Sequence, residues 1–123
     1  MKTKFKMDYD SGEDVLYIYS EKGKVKESLE LSKDIIIDLD KNNKLVAIEI
    51  FNAYGFLHTL NEEITKNMLS ELKEVELKMI KYSDYYIITL VFEYNNKIIT
   101  EKLPALSMEH YQSPLIASLA YFF

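Results

Sequence analysis

Two groups of carboxylates have the spacing to do chemistry. Asp8, Asp10, Glu13 and Asp14 crowd one turn around Gly12. Hard oxygens at alternating positions suit calcium or magnesium. The EF-hand series nevertheless fails: counted from Asp8, its fifth position is Gly12, its sixth Glu13 and its twelfth Tyr19, where a bidentate glutamate is required. These aspartates read instead as turn residues that bind the local backbone. Asp38, Asp40 and Glu49 share the polar face of a second hairpin. Paired carboxylates do acid–base work when one is desolvated; on a half-exposed sheet they serve solubility and discourage edge pairing. Glu49, flanked by Ile48 and Ile50, is the member retained as a ligand or interface candidate.

The other reactive side chains are sparse. His58 stands at helical spacing from Glu62, and His110 has Glu109 and Tyr111 beside it, but no H-x-x-x-H pair joins them into a metal site. No serine lies in a G-x-S-x-G turn, and 3 glycines leave no phosphate-cradling loop. There is no cysteine, hence no thiolate nucleophile, disulfide frame or Cys-based zinc site. No catalytic residue, metal or cofactor is assigned.

All 15 basic residues are lysine, and the net charge is −5. Guanidinium is the group that reads phosphates and guanine edges bidentately, so an acidic chain without it is not expected to bind nucleic acid. No stretch approaches the roughly 18 apolar residues that span a bilayer. The basic start, Met1-Lys2-Thr3-Lys4, is not followed by the apolar run of a secretory signal; neither a membrane partner nor a compartment other than the cytoplasm is expected.

Aromatics are the remaining resource, with 10 tyrosines and 6 phenylalanines. Most of the tyrosines lie on or beside strand-like segments. Tyrosine suits surfaces that are apolar yet tolerate water, subunit interfaces among them. Tyr17, Tyr19 and Tyr86 are therefore candidates, together with Leu115, Phe122 and Phe123 of the apolar C-terminal segment.

The elements that must position these residues are mostly strands. Alternation marks strands at 4–9, 15–19, about 25–31, 35–40 and 45–51, with Asn42-Asn43 in a hairpin turn. Leu60, Ile64, Met68 and Leu72 then fall four apart, one helical stripe, and Thr59 with Glu62 has capping-box spacing, predicting one helix over about 60–73. Strands resume at 75–82, 85–94 and 98–103, and Asn95-Asn96-Lys97 repeats the turn chemistry of Asn42-Asn43-Lys44. That likeness reads either as an internal repeat or as what any two hairpins with this turn would show. Ser113-Pro114 predicts a short C-terminal helix over about 115–121.

Tyr9-Asp10, Asp14-Val15-Leu16-Tyr17-Ile18, Asp38-Leu39-Asp40 and Ala47-Ile48-Glu49-Ile50 with Ala53 resemble the family of domain of unknown function 2283, over residues of about 5–55. Ala47 stands where that family usually has glycine, and Asn42-Asn43 where it usually has Asp/Glu-Gly. The resemblance implies a small antiparallel sheet and no established activity.

The expectation is a single α+β domain, 1–123: antiparallel hairpins at 1–55, a central amphipathic helix within 56–73 packed on a sheet face, a second meander at 74–103, and a C-terminal segment at 104–123. Strands, then a helix, then strands again argue against a parallel doubly wound sheet. The function expected is that of a non-enzymatic interaction protein, a homodimer joined through a sheet edge or the C-terminal segment, because exposed edges and an apolar terminus need cover. The alternative is a small-ligand-binding regulatory module with a tyrosine-lined pocket between sheet and helix.

Overall fold

Alternation of apolar and polar residues does most of the folding work. In the computed structural model the described residues are 3–83, 85–103 and, for backbone alone, 106–107. The strands are β1 (Thr3–Asp10), β2 (Val15–Tyr19), β3 (Glu27–Ser32), β4 (Ile35–Leu39), β5 (Leu45–Phe51), β6 (Glu74–Tyr82), β7 (Tyr85–Tyr94), β8 (Lys97–Lys102) and the short β9 (Leu106–Ser107). All pairings are antiparallel, in the order β3-β4-β5-β2-β1-β6-β7-β8, with β9 on β7 beyond the end of β8. The sheet curls into a half-barrel, far enough that β9 comes up against β3.

The core fills the concave side. Phe5 and Met7 of β1, Leu16 and Ile18 of β2, Ile35, Ile37 and Leu39 of β4, and Ile48 and Ile50 of β5 are buried there with Val75, Leu77, Ile88, Leu90 and Phe92 from the second half. A one-residue slip would turn each of these sets to solvent, so the register is firmly specified. Among the described residues, left-handed backbone is confined to turn-forming residues: Asp14, Asn43, Asn52, Ser83, Asn95 and Asn96. The two Asn-Asn-Lys turns are not equivalent. The second is a two-residue loop closed by Tyr94 opposite Lys97, with both asparagines left-handed. The first spans five residues between Leu39 and Leu45, has one left-handed asparagine, and is organised by Asp40, whose carboxylate accepts from the N–H groups of Asn42 and Lys44. Gly23 allows the loop before β3 to lie on Val46: a Cβ there would sit 2.7 Å from a Val46 methyl.

The sheet-plus-central-helix α+β architecture is corrected by this structure, which is mostly antiparallel sheet with two short helices. The stripe of Leu60, Ile64, Met68 and Leu72 does not lie on one helix. Helix α1 (Ala53–Leu60) ends as Asn61 turns extended, and α2 (Lys66–Glu71) starts afresh. Ile64 and Met68 are buried as the spacing predicts, but Leu60 is 38% exposed. The capping box is not used either. Thr59 donates its hydroxyl back to the Gly55 carbonyl inside α1, whereas the cap of α2 is Thr65, whose oxygen accepts from the Met68 N–H. The two helices and the linker between them insert Ala53, Leu57, Ile64, Met68 and Leu69 into the concave core, so they fill the curl instead of lying across a flat face. The expected C-terminal helix, with Leu115, Phe122 and Phe123, lies outside the described residues.

Candidate functional site

The outward face of β1, β2, β5 and β4 gathers three of the sequence candidates. Register places Tyr17 opposite Asp8 on one side and Glu49 on the other, and Glu49 opposite Ile36. The neighbouring row runs Lys6, Tyr19, Ala47, Asp38 and Ser28. The rings of Tyr17 and Tyr19 stack, with centroids 4.9 Å apart and planes at 17°. Beside them on the same outward positions are Val15, Ile36 and Phe51, each partly exposed. Ala47, 1% exposed, sits in the middle.

Polar groups frame this patch. Ser28 donates its hydroxyl to Asp38 at 2.6 Å, and Glu49 is half-buried. Burial first, then the charges of Asp38 and Glu49, push the Tyr17 hydroxyl above the ordinary tyrosine value. Tyr17 therefore stays a neutral hydroxyl through the physiological range, able to donate to an incoming acceptor.

Tyr86 is not part of this face. It is buried on the concave side, with the Lys81 ammonium 5.8 Å from its ring centroid. Among the described residues, Tyr17, Tyr19 and Glu49 lie on the outward face of the sheet rather than between sheet and helix. A groove of about 630 Å³ opens instead on the outside, where β6 leaves β7 for β1, among Lys4, Lys73, Glu74, Glu76, Glu93 and Ile98.

The acidic turn divides its work among backbone donors. Asp10 accepts from the N–H groups of Gly12 and Glu13. Asp14 reaches across the fold: its carboxylate accepts from the Tyr9 hydroxyl at 2.7 Å and from the Tyr54 N–H at 2.8 Å, and its carbonyl from the Ala53 N–H at 3.0 Å. It thus caps α1 from the β1–β2 turn, where a negative charge meets the positive helix end. Burial opposes the Asp14 charge, but the N–H groups of Tyr54 and Gly55, the Tyr9 hydroxyl and nearby Lys66 outweigh it and hold the carboxyl below its ordinary value. Burial and the Asp14 charge together raise Tyr9. His58 turns away from Glu62: its ring stacks on Tyr54, and its Nδ1 donates to the Ile64 carbonyl at 2.8 Å, tying α1 to the loop before α2. No group of three or more metal-type side chains converges among the described residues.

The sequence reading missed Lys6, Asp8, Ile36 and Phe51 as neighbours of the tyrosines. Their signal was present in the period-2 alternation, but the pairing of β2 with β5 across the β3–β4 excursion was needed to align them. Leu115, Phe122, Phe123 and His110 lie outside the described residues. Among the described residues, no helix is long and apolar enough to cross a membrane.

An uncharacterized protein of Methanocaldococcus jannaschii is 41% identical over 66 residues, 54% of this chain and 56% of its own length. A protein of Methanosarcina mazei, provisionally named a hypoxanthine phosphoribosyltransferase, is 26% identical over 112 residues, 89% of this chain and 86% of its own. The chain thus spans little more than half the length of the first relative. No solved structure matches. The matched family segment runs from within β1 to the first residue of α1, the portion that carries Tyr9, Asp14, the tyrosine stack and Glu49. Residues 6–53 match the model of the family described as Protein of unknown function (DUF2283).

Proposed function

We propose that the protein is a non-enzymatic interaction module of the cytoplasm that works as a homodimer. The observation that carries this reading is the outward face of β2, β5 and β4. An antiparallel sheet with one solvated face normally alternates apolar inward with polar outward. Here Val15, Tyr17, Tyr19, Ile36 and Phe51 break that alternation side by side. Tyrosine, large, stiff and amphipathic, suits a surface that is wet in the free protein and dry in the assembly. A second copy is the commonest partner for such a patch, since closed two-fold dimers dominate soluble assemblies. Light scattering tests it: the expected mass is twice the 14.5 kDa of one chain, falling to one chain when Tyr17 and Tyr19 are both replaced by lysine. A wild-type protein of single-chain mass refutes the reading.

The Methanosarcina relative motivates a second reading, phosphoribosyl transfer to a purine. It requires convergent donors for phosphates. The α1 N-terminus already holds the Asp14 carboxylate, and the first turn of α2 is capped by Thr65. Incubation with hypoxanthine and a phosphoribosyl donor, with nucleotide formation followed by chromatography, tests it directly.

A further inference from the structure

The outward side of β1 reads Lys4, Lys6, Asp8, Asp10, all exposed. Two positive charges are followed by two negative ones along a single strand, so the row is complementary to its own reversed copy. β1 lies inside the sheet, flanked by β2 and β6, and this row belongs to the same face as the tyrosine stack. Lys4 and Lys6 stand opposite Glu76 and Glu74 of β6. Asp8 and Asp10 stand opposite Tyr17 and Val15 of β2, with no cation across from them. Among the described residues the one ion pair within 4.0 Å joins Lys97 to Glu63, so neither Lys6 nor Asp8 is paired within its own copy.

We infer that two copies meet face to face over β1, β2 and β5, about a two-fold axis crossing the strands between the Lys6–Tyr19–Ala47 row and the Asp8–Tyr17–Glu49 row. This rests on the homodimer reading and fixes how the two copies are oriented on that outward face. Rotation about that axis reverses each strand over its counterpart. Lys6 then faces Asp8 of the second copy, Lys4 faces Asp10, and Tyr17 faces Tyr19. Glu49 faces Ala47, the small residue of the β5 outer row, so no two acids are forced together. An axis along the strands does the opposite, setting like charge on like when centred on β1 and Glu49 on Glu49 when centred on β5. Electrostatic pattern thus selects one of the two simple two-fold arrangements. The curl of the sheet confines contact to the few strands at the crest of its convex side, where packed sheets approach to roughly 10 Å, within reach of facing lysine and aspartate side chains.

Sedimentation equilibrium on the full chain tests the arrangement with charge reversals at Lys6 and Asp8; both side chains are exposed, and neither makes a hydrogen bond that holds a turn, unlike Asp10. Lys6→Glu alone and Asp8→Lys alone each place like charges together at both symmetric points and weaken association by about tenfold or more. The combined Lys6→Glu/Asp8→Lys protein restores the complement and returns to within about threefold of wild type. Circular dichroism confirms that each variant keeps its strands. A dimer indifferent to both single reversals, or a double variant weaker than either single, overturns this arrangement while leaving the homodimer reading standing. A wild-type monomer overturns both.

Discussion

Removing the Asp14 carboxylate disconnects the β1–β2 turn from α1. Asp14 sits at φ 56°, left-handed backbone, so the replacement must be chosen to separate backbone from side chain. Asp14→Gly accepts that φ without strain and deletes only the carboxylate. What is lost is the Tyr9 hydroxyl bond at 2.7 Å and the Tyr54 N–H bond at 2.8 Å, both to a charged acceptor. Bonds to charged groups contribute about 1.5–3 kcal/mol each when shielded, and lost helix caps cost about 1 kcal/mol. Partial exposure of Asp14 puts the expected total near the lower bound for the two bonds, about 3 kcal/mol. Asp14→Ala adds about 1 kcal/mol, because a Cβ disfavours the left-handed region. Asp14→Asn keeps an acceptor and tolerates that region, so it loses only the charge, about 1 kcal/mol. Urea unfolding followed by circular dichroism measures each against a total stability of about 5–15 kcal/mol. The acid side gives a further check. The Asp14 carboxyl is held below its ordinary value in the folded protein, so its contribution is complete above the unfolded value of about 4 and is lost as pH falls through the lower folded value. Asp14→Asn removes that part of the acid sensitivity. A cost for Asp14→Gly under about 0.5 kcal/mol, or equal costs for Gly and Ala, refutes the account.

Ile64→Ala is expected to cost about 2–5 kcal/mol and Leu60→Ala less than about 1 kcal/mol, since Ile64 is fully buried and Leu60 is not; equal costs would restore the single continuous helix. Burial raises the Glu101 carboxyl above its ordinary value, with the Asn61 side chain pulling the other way. The folded state therefore binds that proton more tightly, and stability falls as pH rises through the interval between unfolded and folded values. Glu101→Gln is accordingly expected to melt higher than wild type at neutral pH, the gap closing below about pH 4; a lower melting point at neutral pH contradicts this.

Strands were legible because each states its own face. The residues of β2 and β7 follow directly from alternation, and Asn42-Asn43 or Asn95-Asn96 announces the turn between its strands. The helices were not, because their boundaries are set from outside. α1 begins at Ala53 on the strength of Asp14, 39 residues earlier in the chain, which no local cap signal records; its own N-cap residue, Asn52, makes no side-chain cap bond. The four-residue stripe from Leu60 onward was real as a burial pattern, but two short helices joined at Asn61–Thr65 bury Ile64 and Met68 as well as one long helix would. Of the candidate face, Tyr17, Tyr19 and Glu49 were identified by type. Their adjacency depends on β5 returning to β2 after the β3–β4 hairpin, a long-range pairing that no short-range signal carries.

β1 joins the two halves of the sheet: β2 on one edge comes from the family segment, and β6 on the other from residues beyond it. During synthesis the first strand is complete long before its second neighbour exists, so the five-strand portion must form with one side of β1 bare. Any shorter chain that carries only that portion keeps this seam open for good, with a row of unsatisfied amides in search of a strand. Such a chain has to borrow one from elsewhere in its own sequence or from a companion molecule. The second meander of this protein is, in that sense, a built-in substitute for a companion.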